Sequence, residues 1–170
     1  MAKSKYPTIP IDEALSADVA DDVIAINRTA AVVKGGRRFS FSALCVVGNE
    51  DGLVGIGYGK GREVPNAVEK SVKDARKQVM RVVREGRTIP HVAEGDYCAT
   101  RVRIIPAAPG TGIIAGKAVR KVLEKAGIKD ILTKNYGSTN AVNVVKATMM
   151  ALSKLRNREQ TVALRGVNLE

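Results

Sequence analysis

The stretch GTGIIAGK, residues 110–117, has the residue types of a phosphate-binding loop. It lies between a strand-like run and a helix-like run, where nucleotide-binding enzymes place their glycine-rich turns. Its glycine spacing misses G-x-G-x-x-G. It also misses G-x-x-x-x-G-K-[ST], because Thr111 stands where the first glycine belongs and Ala118 stands where the serine or threonine belongs. A tight turn that positions the helix for contact with RNA or a protein neighbour is favoured over a nucleotide site.

The stretch GIGYGKG, residues 55–61, is a second glycine-rich segment ahead of a helix-like run. Glycines within a strand are typical of places where another backbone approaches closely. The amides at a helix N-terminus, together with Lys60 and Arg62, would also suit a phosphate of a polynucleotide. The sequence leaves both interpretations open.

Side chains that could perform catalysis or hold a metal are scattered. The acids lie in the first 22 residues, in turns or beside lysines, so nothing supplies a positioned nucleophile and base. The single histidine, His91, is expected to be structural or solvent-exposed. Cys45 and Cys98 lie in hydrophobic runs and are expected to be buried, reduced thiols. We therefore expect no enzyme activity, no metal and no cofactor.

The charge of the chain indicates its class of partner. There are 28 lysines and arginines against 17 acids, for a net charge of +11 and an isoelectric point near 9.9. Residues 1–22 carry −3, whereas residues 23–90 and 91–170 carry +7 each. Because both of the longer regions carry an excess of positive charge, a nucleic acid is the favoured partner. Because no apolar run approaches the roughly 20 residues that span a bilayer, and no signal peptide is recognisable, we expect a cytoplasmic protein without a membrane partner.

The pattern of residues 23–86 predicts a three-stranded antiparallel meander followed by one helix. Strand-like runs cover residues 23–33, 37–48 and 53–61. The Gly35-Gly36 pair between the first two runs predicts a hairpin turn of type I′ or II′, which needs positive φ. From residue 62 the period becomes 3.6, and the helix is expected to stop at Gly86.

Residues 88–157 predict a second unit of strands and helices. Strands are expected within residues 88–95, 96–109 and 128–137, and a glycine loop leading into a helix within residues 110–127. The helix that follows has Ser138, Thr139 or Asn140 as its N-cap. The tail from Arg158 is expected to be irregular.

The predicted fold class is α+β, with a three-stranded antiparallel sheet and one helix followed by a C-terminal α/β two-layer domain. We divide the chain into four parts. These are an acidic N-terminal extension (1–22), an RNA-binding-like domain (23–88), an α/β domain (89–157) and a C-terminal tail (158–170).

Three long motifs carry a family resemblance. KGGRRFSFSALCVVG, GLVGIGYGKGREVPNAVEKSVKDAR and RIIPAAPGTGIIAGKAVRKVLEKAGIKDILTKNYGSTNAVNVVKAT closely resemble the bacterial small-subunit ribosomal protein five family over about residues 23–157. The acidic extension has no match in that resemblance. The resemblance implies a first domain like the double-stranded-RNA-binding fold without its first helix. It implies a second domain like those of translocation factors and some ATPases and kinases, without their nucleotide chemistry.

The resemblance also implies a function and partners. Proteins of this family bind small-subunit ribosomal RNA, touch the neighbouring proteins four and eight, and help line the messenger-RNA entry path with proteins three and four. By resemblance, Val33 to Arg38 match the hairpin loop associated with spectinomycin sensitivity. Gly110 to Arg120 match the region that faces protein four, where changes affect decoding accuracy.

The candidate site residues follow from the charges, the turns and the resemblance. The residues expected to bind RNA are Arg28, Lys34, Gly35, Gly36, Arg37, Arg38, Lys60, Arg62, Lys70, Lys73, Lys77, Ser138 and Thr139. The residues expected at a protein interface are Gly110, Thr111, Gly112, Ile113, Lys117 and Arg120. Taken alone, the three helical lysines are more typical of the solvated face of an amphipathic helix, because Glu69, Asp74 and Glu85 interrupt their positive charge. A nucleotide-binding enzyme and a stand-alone RNA chaperone or regulator are the competing functions.

Overall fold

The computed structural model describes Pro7 and residues 19–166. The N-terminal half contains β1 (Ala20–Val33), β2 (Gly36–Gly48), β3 (Leu53–Gly61), α1 (Val64–Arg76) and β4 (Val79–Arg81). The C-terminal half contains β5 (Ala93–Tyr97), β6 (Thr100–Pro106), β7 (Ile113–Ile114), α2 (Lys117–Lys125), β8 (Ile131–Gly137), α3 (Ala141–Ser153) and α4 (Arg158–Arg165). Of the acidic extension predicted for residues 1–22, all but Pro7 and residues 19–22 lies outside the described residues.

The N-terminal sheet is antiparallel in the order β1-β2-β3-β4. The predicted meander is confirmed, and β4 is a fourth strand that the sequence did not reveal. The predicted helix to Gly86 is wrong, because α1 ends at Arg76 and residues 79–81 pair with β3 instead. Val79 and Met80 are almost completely buried there. Their apolar side chains satisfy a helical period and a strand equally well, and only the tertiary pairing decides between them.

The glycines of β3 allow α1 to pack directly on the strand. A Cβ atom built on Gly55 would lie 2.6 Å from the carbonyl oxygen of Ala75, and one on Gly61 would lie 2.8 Å from the amide nitrogen of Ala67. At Gly57 the approach to the helix backbone is closer still. The alternating glycines therefore serve helix packing, one of the two roles that the sequence left open.

The C-terminal sheet has the order β5-β6-β8-β7, with β7 parallel to β8 and the other pairs antiparallel. The strand expected over residues 96–109 is in fact part of a hairpin. Tyr97 pairs with Thr100, and Cys98 lies in the two-residue turn between them with φ of +51°. Cys98 is therefore exposed rather than buried, whereas Cys45 is buried as predicted.

The C-terminal tail is helical, so the expectation of an irregular tail is wrong. Helix α4 begins with a capping box in which the Asn157 side chain accepts from a backbone amide of the first turn and the Gln160 side chain accepts from the amide of Asn157. It ends at Gly166, whose φ of +64° terminates the helix. No side chain of α4 is buried. The helix therefore has no apolar face that hydrophobic periodicity could reveal, and only its capping residues mark it in the sequence.

The two halves share one hydrophobic core. A single cluster joins Leu44 and Val46 of β2 and Met80 of β4 to Ile104 of β6 and Leu123 of α2. The residues of β2 from Ser42 to Gly48 are buried, because α1 covers one face of the sheet and the C-terminal half covers the other. The N-terminal sheet is thus the middle layer of the molecule.

The turn between β2 and β3 stabilises the contact between the N-terminal sheet and the C-terminal half. The backbone amide of Glu50 donates to the carbonyl oxygen of Lys125 at 3.1 Å, and the amide of Gly52 donates to that of Ala126 at 3.1 Å. Lys125 also pairs with the Glu50 carboxylate at 3.1 Å. The C-terminal end of α2 is therefore held by backbone and side-chain bonds from the N-terminal sheet.

Candidate nucleic-acid interface

The hairpin of β1 and β2 extends beyond the rest of the sheet. Strand β3 pairs with β2 only from Phe41 onward. The five pairs from Thr29–Ser40 to Val33–Gly36 therefore form a two-stranded ribbon, about 17 Å long at the usual rise per residue. We call these residues, 29–40, the ribbon.

The ribbon ends in a tight turn at Lys34 and Gly35. Val33 pairs with Gly36, so the loop residues are Lys34 and Gly35 and not the two glycines. Gly35 has φ of +87°, whereas Lys34 does not have positive φ. This corrects the expected type I′ or II′ turn, because the first loop residue of either would need positive φ; the observed signs are those of a type II turn.

The cations of the ribbon, together with Arg28 at its base, point in different directions. Residues paired across the strands share a face, so Arg37 lies beside Val32 on the face that also carries Arg28, and Arg38 lies beside Ala31 on the other face. All three arginines are exposed, as is Lys34 at the turn. Among the described residues, none of these four cations has an ion-pair partner. The ribbon thus presents unneutralised charge on both faces and at its end.

Each face of the ribbon carries a second type of contact. On one face the Arg28 guanidinium carbon lies 3.6 Å from the centroid of the Phe39 ring. On the other face the hydroxyl groups of Thr29 and Ser40 share a hydrogen bond of 2.8 Å. Phe39 was not predicted as a site residue, although its place between Arg38 and Ser40 in an alternating strand could have indicated it.

Lys60 and Arg62 lie near the base of the ribbon. Lys60 pairs in register with Ser42 and therefore lies on the same sheet face as Arg38. Its ammonium nitrogen is 5.8 Å from the centroid of the Tyr58 ring. Arg62 is exposed just before α1. The structure thus places two of the predicted cations at the base of the ribbon, and it adds Tyr58, which was not predicted as a site residue.

The helical lysines lie apart from Lys60. Helix α1 covers the opposite face of the sheet, so Lys70 and Lys73 on the helix and Lys77 at its C-cap do not form one surface with Lys60. Lys73 donates to Glu69 at 2.6 Å, and this hydrogen bond and charge lower the pKa of Glu69. Because Lys73 already has a carboxylate partner, its charge is partly neutralised within the helix.

Ser138 and Thr139 lie at the start of α3. The N-cap is Asn140, whose side chain accepts from the amide of Val142 at 3.3 Å. The backbone of Ser138 is occupied, because its amide donates to Ala99 and its carbonyl oxygen accepts from Thr100 Oγ1, each at 2.9 Å. Thr139 is exposed. These two residues lie in the C-terminal half and do not join the ribbon.

The glycine loop before β7 is held from inside the protein. Asp130 Oδ1 accepts from the amides of Gly110 at 3.0 Å and Gly112 at 2.9 Å, and Oδ2 accepts from Arg87 Nε at 2.9 Å. The carboxyl group is almost completely buried. The bond from Gly112, with further contributions from Arg87 and Gly110, lowers the pKa of Asp130. The amides that a nucleotide phosphate would need are therefore already bound to a carboxylate of the chain itself.

The other residues predicted at a protein interface lie on the outside of the same region. Thr111 donates its hydroxyl to the carbonyl oxygen of Ala108 at 2.7 Å. Ile113 is part of β7 and half-buried. Lys117 and Arg120 are exposed on the first two turns of α2. The predicted interface residues are thus brought together around one loop and one helix end.

Metal-binding clusters and membrane-spanning helices are both absent from the described residues. No group of three or more histidine, cysteine, aspartate or glutamate side chains there could hold a metal ion. Within the same part of the chain, no helix is long and apolar enough to cross a membrane.

Comparison with protein families identifies the chain. The model of the N-terminal domain of ribosomal protein S5 matches residues 19–83, and the model of its C-terminal domain matches residues 95–165. The chain belongs to the ribosomal protein S5 family. Membership in this family confirms the resemblance seen in the motifs and the predicted α+β class. The chain is a member of a ribosomal protein family and not an enzyme.

Two relatives of the S5 family cover nearly all of the chain. Small ribosomal subunit protein uS5 of Rhodopirellula baltica is 57% identical over 167 residues, which is 98% of this chain and 94% of the relative. Small ribosomal subunit protein uS5 of Nocardia farcinica is 54% identical over 159 residues, which is 94% of this chain and 73% of the relative.

Proposed function

We propose that the chain is a structural constituent of the small ribosomal subunit that binds ribosomal RNA through the ribbon. The observation that carries the proposal is the ribbon itself. It extends past the sheet and carries Arg37 and Arg38 on opposite faces, with Lys34 at its turn. The S5 relatives, which are named as small-subunit proteins, support the same assignment to the small ribosomal subunit.

The geometry of the ribbon fits folded RNA better than a simple duplex. The major groove of A-form RNA is too deep and narrow for side chains to read, so proteins bind phosphates, 2′-hydroxyls and distorted junctions. An element only two strands wide can enter a junction between RNA segments. With cations on both faces it can then neutralise the phosphates of two separate backbones, by bidentate contacts from arginine and a mobile point charge from Lys34.

The proposal includes particular neighbours. The exposed residues around the Asp130-held loop, among them Lys117 and Arg120, are the surface we assign to ribosomal protein four and to decoding accuracy. We further assign a contact with protein eight, and a place on the messenger-RNA entry path with proteins three and four. Residues 33–38 would form the spectinomycin-associated loop. These assignments rest on the family resemblance and on the exposure of the residues.

Co-sedimentation tests whether the chain is an integral component of the small ribosomal subunit. We expect the chain to remain with small ribosomal subunits when they are pelleted through a high-salt cushion. A stand-alone RNA chaperone or regulator would be released under those conditions, and its release would overturn the proposal.

Salt dependence tests the ribbon. Replacing Lys34, Arg37 and Arg38 with Ala should weaken binding to small-subunit ribosomal RNA and flatten the plot of log affinity against log salt by up to ~0.9 for each phosphate that is no longer bound. A control with the same charge change replaces three exposed cations elsewhere, Lys129, Arg156 and Arg165. An unchanged slope in the ribbon variant, or an equal change in the control, would contradict the assignment.

A nucleotide-binding enzyme is the competing function that the structure disfavours. The amides of Gly110 and Gly112 are bound to Asp130, so a phosphate would have to displace a buried carboxylate. Titration of the purified protein with ATP and with NAD should give no saturable binding.

A further inference from the structure

Phe39 is an exposed aromatic residue of the ribbon, and the positive charge of the ribbon does not account for its exposure. It is one of two phenylalanines in the chain, and 44% of its surface is exposed. Its partner across the ribbon is Ala30, whose methyl group is too small to cover the ring. Exposed aromatic surface is unfavourable in water, so a partner that covers the ring gains binding energy.

The guanidinium of Arg28 turns this ring into a composite surface. Its central carbon lies 3.6 Å from the ring centroid, which is stacking distance. Arg28 pairs in register with Phe41, so its side chain reaches diagonally toward the end of the ribbon to meet Phe39. Arg28 is itself exposed. A flat cation lying on a flat ring offers a surface that matches a nucleobase in shape and complements its electron-rich face.

A phosphate-binding group lies next to this surface. Arg37 is on the same face of the ribbon as Phe39, one pleat nearer the turn, at a spacing of about 6.8 Å along the strand. A base that stacked at Phe39 would therefore place its own sugar-phosphate backbone within reach of a cation that has no ion-pair partner among the described residues.

We propose that Arg28 and Phe39 form a stacking platform for a single unpaired RNA base. The inference rests on the proposed function for its partner and adds that one contact is made to a base and not to a phosphate. Bases inside an A-form duplex are covered by their neighbours, whereas a base in a bulge or junction can be turned out and stacked on an aromatic ring or an arginine. Because every base has such a face, the platform selects for unpaired bases and not for their identity.

Two RNA probes test the platform with the full chain. One is a fully paired duplex, and the other is the same duplex with one unpaired 2-aminopurine. We expect the wild-type chain to prefer the bulged RNA by about 5- to 150-fold, the range that stacking of one base provides. The fluorescence of the unpaired base should be quenched on binding.

Variants at Phe39 separate stacking from charge. Phe39→Leu keeps an apolar side chain without the ring, so it should lose the preference and the quenching while binding to the paired duplex is retained. Phe39→Tyr keeps the ring and should retain both. Val32→Ala is the matched control, because Val32 is 81% exposed on the same face; it should leave the preference unchanged. Circular dichroism checks that each variant is folded.

The outcomes distinguish the inference from the proposed function. If the wild-type chain binds RNA but shows no preference for the bulge, or if Phe39→Leu keeps that preference, the platform is wrong and RNA binding by the ribbon stands. If the wild-type chain binds neither probe at low salt, the platform is wrong, and the proposed function is overturned as well only if the chain also fails to bind small-subunit ribosomal RNA.

Discussion

Gly57 lies directly against the backbone of α1, with the carbonyl oxygen of Ser71 in the space that a Cβ atom would fill. Gly57→Ala should therefore destabilise the protein by about 3 kcal/mol, the upper end of the cost of overpacking, because backbone atoms cannot yield as a flexible side chain can. The measurement is the free energy of unfolding in urea.

Gly116→Ala is the control for that variant. Nothing lies within 4 Å of a Cβ built at Gly116, whose φ of −65° suits any residue. Its cost should be about 0.5 kcal/mol, because alanine is merely a poorer N-cap. Equal destabilisation by the two variants would show that the contact with α1 is not what requires glycine at position 57.

Gly127 joins the two halves of the molecule through a similar approach. It has φ of +77°, and a Cβ there would collide with the carbonyl oxygen of Glu50. Gly86 has φ of +60° with open space around it. Gly127→Ala and Gly86→Ala should both cost about 1–2 kcal/mol for the left-handed backbone, and Gly127→Ala should cost about 1–3 kcal/mol more for the collision. Indistinguishable unfolding midpoints in urea would refute the collision.

Asp130 should make the free energy of unfolding depend on pH under acidic conditions. Its pKa is lowered from the usual 3.8 in the folded protein, chiefly by the amide of Gly112 and by Arg87. The stabilisation is therefore present above the unfolded pKa and is lost as the pH falls through the folded value. We expect wild-type stability to fall more steeply below about pH 4 than that of Asp130→Asn, as measured by urea midpoints at each pH. Parallel curves would contradict this role.

The two cysteines should differ in reactivity. Cys45 is buried and accepts a hydrogen bond from the Ser71 hydroxyl at 2.7 Å, and burial raises its pKa above 9.0. Cys98 is exposed in its turn. A thiol-specific reagent should modify Cys98 alone in the native protein and both residues in urea, as counted by mass spectrometry. Native Cys98→Ser protein should take up no reagent; rapid labelling of that variant would mean that Cys45 is accessible.

The raised pKa of Cys45 has its own pH window. A group whose pKa is raised by folding contributes stability that is full below the unfolded pKa and is lost as the pH rises through the folded value. The protein should therefore lose stability above about pH 9 by an amount that Cys45→Ala does not lose. Thermal unfolding between pH 8 and pH 10 provides the comparison.

Features that depend on local pattern were predictable from the sequence. The alternation in β2 and β3 and the glycines at the turn located the hairpin. The cluster of Lys34, Arg37 and Arg38 located its charge. Each of these follows from residues close together in the chain, where periodicity and turn chemistry are strong signals.

Features that depend on distant contacts were not predictable. Strand β4 forms because Val79 to Arg81 meet β3, and nothing in residues 77–86 distinguishes that strand from two more turns of helix. The bond from Asp130 to a loop 18 residues earlier and the contact of Arg28 with Phe39 depend on pairing register. The role of the glycines in β3 became clear only with the helix in place.

Strand β2 is governed by two different requirements along its length. From Ser42 to Gly48 every side chain fits between α1 and the C-terminal half, so volume decides what is tolerated. From Gly36 to Phe39 every residue is exposed, and replacement there leaves the core intact. Evolution can therefore change what the ribbon touches without changing the fold, and mutations that alter function without altering stability should concentrate in those few residues.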